Sequence, residues 1–208
     1  MKTKQFVLVA VFALAQVAAW SQPVDRPSSG HVKTIVFIHG LFVTNNCWDE
    51  WKKYFEERGY TCYAPAYPLK NDSPLNLRKN IATGKIETLR FQNILEFYES
   101  EIKKISGKPI LIGHSLGGNL VQLLINKGLG SAGVCIHSGP PKGLISFKHS
   151  FLKSNLPLIR ASTKKPYLMP FKNWQYAFTN GMTLSEQQAT YNNYLVPESP
   201  QIAKDATT

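Results

Sequence analysis

The stretch KPILIGHSLGGNLVQLL, Lys108 to Leu124, decides the fold. Its first third is a continuous apolar run, the pattern of a strand covered on both faces. Its last third places apolar residues at helical spacing. Between them stands Gly113-His114-Ser115-Leu116-Gly117, a G-x-S-x-G sequence on a strand-to-helix turn. A serine on so tight a turn takes a strained backbone conformation, and the residues two before and two after it must be small or their side chains collide. Gly113 and Gly117 meet that need, and Gly118 relieves packing of the helix start on the sheet. The spacing makes Ser115 a candidate nucleophile. It aims the backbone N–H of Leu116 at a developing oxyanion, beside the positive end of the helix dipole.

Working outward, KTIVFIH (Lys33–His39) is a second β-branched run, and FIHGLF (Phe37–Phe42) carries a His-Gly turn after it. Gly40 lets the backbone turn there, so the Leu41 N–H is the natural partner of Leu116 in an oxyanion hole. Each such donor is worth about 3 kcal/mol in a transition state. His39 reads as a structural residue of that turn, and His114 as a side chain packed beneath the serine. A helix is expected over Cys47–Gly59, a strand in YTCYAPAYP (Tyr60–Pro68), a loop over Asn71–Lys85 and a helix over Glu87–Ile105. A fourth strand lies within Ala132–Gly143. Beyond Leu144 the chain is aromatic and broken by prolines. Thr183 with Glu186 has capping-box spacing for a further helix, and Val196 onward reads as an exit loop.

Alternating strand and helix patterns argue for an α/β domain with a mostly parallel sheet of about four strands flanked by helices. Residues 32–143 form the core and residues 144–208 a cap-like helical segment. Residues 1–21 read as a signal peptide: a basic MKTK start, an apolar run from Phe6 to Trp20, and Ala19 and Ser21 at the minus-three and minus-one positions. Cleavage after Ala19 fits nearly as well, and an N-terminal membrane anchor is the alternative. Residues 22–31 form a Pro/Ser/Gly linker. The expectation is an exported protein, periplasmic or secreted.

The three cysteines, Cys47, Cys62 and Cys135, are too scattered for a disulfide framework or a metal site. Cys62 and Cys135 lie in apolar strand-like runs and read as buried thiols. The net charge is +11, and between Ile102 and Ser185 there is no Asp or Glu against eleven Lys and Arg. These charges are scattered among apolar residues without a nucleic-acid-binding motif, which argues against a nucleic-acid partner. Acids elsewhere in the fold would balance them, or they would attract an anionic lipid surface or acidic substrates.

The His-Gly turn, the G-x-S-x-G turn and the spacing between them resemble the α/β-hydrolase superfamily from about Thr34 to Gly143. The later PPKG, SFLKSN, KPYLMPF, QYAF and VPES segments are similar to the helical cap of one bacterial branch. The resemblance implies a serine hydrolase acting on a small acyl substrate such as an ester, with no metal or organic cofactor. It also implies a triad in the order Ser, then Asp or Glu, then His. After Ser115 the acids are Glu186, Glu198 and Asp205, and the histidines are His137 and His149. None has the family's placement. The expectation is therefore a truncated hydrolase: nucleophile and oxyanion donors present, acid and base missing, and the strand GVCIHS left as an apolar edge. Two other readings stay open, a non-catalytic binding or scaffold protein that keeps the pocket, and an enzyme whose His149 bends back as base. The aromatics Tyr167, Phe171, Trp174, Tyr176 and Phe178 suggest an apolar acyl pocket or an ordinary core.

Overall fold

The structure, a computed structural model, describes residues 33–140, 143–144 and 147–207. The expected signal peptide and linker lie outside the described residues. Four strands, β1 (Thr34–Ile38), β2 (Thr61–Tyr63), β3 (Ile110–His114) and β4 (Ala132–Ile136), form one parallel sheet in the order β2-β1-β3-β4. Register pairs Ile35 with Ile110 and Ile38 with Gly113, so β1 and β3 end side by side. From β1 the chain goes to β2 on one side, then crosses to β3 on the other. Their adjacent carboxyl ends are thus the switch point where ligands of open α/β sheets bind.

Strand residues alternate between two cores. Ile35, Phe37 and Ile112 face α1 (Asp49–Glu56) together with Trp48, which ends a 3₁₀ turn at Asn45–Trp48. Val36, Ile38 and Leu111 face α3 (Phe91–Lys103) and α4 (Leu116–Asn126), whose Ile94, Tyr98, Leu120 and Leu124 are fully buried. Gly59, at φ +82°, ends the turn after α1 as a glycine stop. Only part of the α1 aromatic stripe is core: Trp48 and Phe55 pack on Phe37, whereas Trp51 and Tyr54 are 45% and 52% exposed.

The expected loop over Asn71–Lys85 contains a helix, α2 (Pro74–Lys79). Ser73 accepts the Asn76 N–H at 3.2 Å and Pro74 occupies the first helical position, a start signal that the short length concealed. The Arg78 guanidinium donates to the carbonyls of Tyr191, Asn192 and Leu195. It thereby closes the C-terminus of α7 (Leu184–Tyr194). The Thr183–Glu186 capping box that starts α7 forms as expected.

After β4 come α5 (His149–Ile159), α6 (Phe171–Ala177), α7 and α8 (Pro200–Thr207). The expected exit loop holds over residues 196–199 but gives way to a helix at Pro200, because Ile202, Ala203 and Ala206 recur at helical spacing and Ile202 is buried against the α3 side of the core. Phe42, Leu158, Met169, Trp174 and Leu195 form a third core above the carboxyl ends of the strands. Among the described residues β4 pairs with β3 alone, and Val134 on its α1-facing side is 45% exposed. Cys135 is exposed for the same reason, and the expectation of a buried thiol there is corrected; Cys62 is buried. Of the scattered cations, Lys103 and Lys127 pair with Glu99 and Lys104 with Glu101, acids just before the acid-free stretch. No helix among the described residues is long and apolar enough to cross a membrane.

Candidate active site

Ser115 stands between β3 and α4 with φ 55° and ψ −118°, a conformation that side chains rarely adopt. Its N–H donates to Ile136 O at 2.9 Å, and its hydroxyl makes no capping bond to α4. The flanking glycines show how the turn is enforced. A Cβ on Gly113 would lie 2.2 Å from Gly117 O, and one on Gly117 would lie 2.1 Å from Ile38 O. The β3–α4 turn therefore presses against itself and against the end of β1.

The Leu41 turn reaches the same place from β1. A Cβ on Gly40 would be 3.0 Å from His114 O and 3.1 Å from Ser115 Cβ, so the two turns are in contact. Leu41, Ser115 and Leu116 line one cavity of about 500 Å³, with Asn119, His137, Ser138, Phe151, Asn155 and Ile159 among its walls. Among the described residues, neither the Leu41 N–H nor the Leu116 N–H has an acceptor. The three residues singled out from sequence are thus brought together, with Gly113 and Gly117 beneath them. Among the described residues, the buried Asn119 Oδ1 and Ser138 Oγ atoms have no partner.

Of the histidines, His39 is fully buried, its Nδ1 3.0 Å from Gly40 O and its ring stacked on Tyr67 at 4.3 Å. Burial, helped by the Lys70 charge and opposed by the Gly40 contact, pushes its pKa down to about 3. It is neutral at ordinary pH and belongs to the turn. His114 is partly buried, and burial and His137 lower its pKa. His137 lies one residue beyond β4, not within it, and lines the cavity at φ 43°. His149 opens α5 and is exposed; it is not among the residues lining the cavity, although Lys148 before it and Phe151 after it are. No carboxylate is among the described residues lining the cavity.

Glu198 lies elsewhere, in a position that sequence reasoning missed. It and Lys70 form a fully buried ion pair at 3.1 Å. Glu198 Oε2 also accepts from Tyr67 Oη at 2.9 Å and from the Phe42 N–H at 3.0 Å, while Oε1 accepts the Ser199 N–H. Burial lowers the pKa of the Lys70 ammonium, opposed by the carboxylate beside it. Burial and then that carboxylate raise the pKa of the Tyr67 phenol. Removing one partner of such a pair typically costs about 3–5 kcal/mol. No local pattern marks it, since Glu198 follows Lys70 by 128 residues.

A family model described as the alpha/beta hydrolase family matches residues 35–204. The chain belongs to that family. Among solved structures, an extracellular α/β-hydrolase from a Paenibacillus species is similar to it at 26% identity and TM-score 0.63, over 81% of this chain and 69% of that one. That protein is described as sharing structural and functional homology with tobacco salicylic acid binding protein 2. Polyneuridine aldehyde esterase shares the fold at 17% identity and TM-score 0.56, over 85% of this chain and 72% of its own. Tomato methylketone synthase I does so at 16% and 0.59, over 84% and 70%. No curated protein matches. The α/β-hydrolase sheet here comprises the four parallel strands flanked by helices.

Proposed function

We propose that this α/β hydrolase acts on carboxylic esters through Ser115. The hydroxyl attacks the acyl carbon, and the carbonyl oxygen, becoming negative, takes hydrogen bonds from the N–H groups of Leu41 and Leu116. The observation that carries this reading is the strained Ser115 backbone at a cavity shared with both free donors. Apolar walls from Leu41, Leu116, Phe151 and Ile159 suit a small acyl group. The serine must lose a proton during attack, and the described residues around it offer no histidine paired with a carboxylate. Without a triad's base, catalysis falls by several orders of magnitude, so slow turnover is expected from the residues described.

That lack of a paired base supports a second reading, a non-catalytic α/β-hydrolase-like binding protein. Hydrolysis of a p-nitrophenyl ester by the purified chain separates the two. Slow release of p-nitrophenol, lost in Ser115→Ala, is the outcome for the hydrolase. Release no faster than in buffer without protein, in the parent and in Ser115→Ala alike, removes Ser115 from the chemistry and leaves the binding reading.

A further inference from the structure

We infer that Glu198 is a positioning residue for the oxyanion turn, setting the direction of the Leu41 N–H through the peptide that follows it. The inference rests on the reading of Leu41 as an oxyanion donor. Phe42, next in the chain, has φ 68°, a left-handed conformation unfavourable for a bulky residue without glycine's freedom. It is held there from both sides. Its N–H donates to Glu198 Oε2 at 3.0 Å, and its carbonyl accepts the Val196 N–H at 2.9 Å. Its ring is buried between Tyr167 and Phe178. On the other flank, Gly40 is pinned against His114 and Ser115. The Leu41 N–H therefore sits between two fixed neighbours, and Glu198 supplies the charged anchor of one of them.

The anchor is itself fixed. Tyr67 Oη, Lys70 Nζ and the Phe42 N–H all donate to Oε2, and the Ser199 N–H occupies Oε1. Lys70 Nζ also donates to Pro197 O, and residues 167 and 198 exchange both backbone bonds at 2.8 and 2.9 Å. Both carboxylate oxygens accept. A glutamine placed here must turn its NH₂ toward a donor in either orientation.

The test is the Ser115-dependent part of p-nitrophenyl butyrate hydrolysis, taken as the difference from Ser115→Ala, with amide hydrogen exchange on the same proteins. In Glu198→Gln, kcat falls about 10- to 100-fold with KM within about twofold, less than the 10²–10³ for losing a donor outright because the donor is displaced, not deleted. Exchange at Phe42, whose N–H loses its carboxylate acceptor, speeds up at least about tenfold while β3 and α4 amides keep their protection. Tyr67→Phe removes one bond to Oε2 and leaves the ion pair, and it gives a smaller change of the same kind. It decides the matter if Glu198→Gln does not fold. A folded variant with unchanged kcat and unchanged exchange at Phe42 overturns the inference. A rise in KM with kcat unchanged also overturns it, since the residue would then serve ground-state binding. If hydrolysis is the same in Ser115→Ala, the serine-hydrolase reading fails, and exchange alone decides whether Glu198 holds the turn.

Discussion

Replacing Gly117 by alanine puts a methyl group 2.1 Å from Ile38 O, 2.8 Å from Ile38 C and 3.0 Å from His39 O. Ordinary contact begins at 3.4 Å, so the nearest atom is 1.3 Å too close (3.4 minus 2.1). All three atoms are backbone at the end of β1, a strand paired on both sides, and none can rotate away. Overpacking of this kind costs about 1–3 kcal/mol, and the immobility of the neighbours puts Gly117 at or above the top of that range. Alanine returns about 1 kcal/mol of helix propensity. The net loss is about 2 kcal/mol or more, equivalent to a fall of about 4–8 °C in Tm for a domain of this size. Gly118 is the internal comparison. Its added methyl would meet Ser138 Oγ at 2.2 Å, a hydroxyl that can swing aside. It would then meet only Ser138 Cβ at 3.1 Å and Gly113 O at 3.3 Å, which need give by a few tenths of an ångström, so Gly118→Ala loses less than Gly117→Ala. Thermal melts followed by circular dichroism decide between them. A Gly117→Ala protein melting within a degree of the parent, or below Gly118→Ala only by noise, refutes the claim that the turn presses on β1.

Two further predictions concern burial. Because burial holds the folded His39 pKa near 3, while an unfolded imidazole titrates near pH 6.5, the unfolded chain binds the extra proton between those values. Stability from this group is complete above about pH 6.5 and is lost as pH falls toward 3. The His39 ring resonances should stay those of neutral imidazole from about pH 5 to 8, and a midpoint in that window contradicts the burial argument. For the thiols, maleimide added to the folded protein should label Cys135 first. Cys47, whose thiol burial pushes up to about 12, and buried Cys62 should lag until denaturation. Equal labelling rates at Cys47 and Cys135 count against the exposed β4.

The three structural corrections share a cause. At Pro74–Lys79 and Pro200–Thr207 the start signal was present, Ser followed by Pro, but the apolar repeat was too short to stand out from a loop. Those helices exist because neighbours hold them: Arg78 reaches the end of α7, and Ser199 Oγ donates to the carbonyls of Glu87 and Leu89. Cys135 failed in the opposite direction. A period-two apolar run says which residues share a face, but burial depends on what covers that face.

What the sequence determined by itself is local and steric. G-x-S-x-G between a strand pattern and a helix pattern specifies the turn, because only a residue without Cβ fits where Gly113 meets Gly117 and Gly117 meets Ile38. The His-Gly turn and the alternation of elements then fix the class of fold. Tertiary structure alone decided which distant groups hold the turns. Glu198 lies 156 residues from Phe42 and 128 from Lys70, and its meaning comes from a buried position where an unpaired charge would be intolerable. No spacing rule spans such a distance. Desolvation selects the partners, and desolvation exists only once the chain has closed around them.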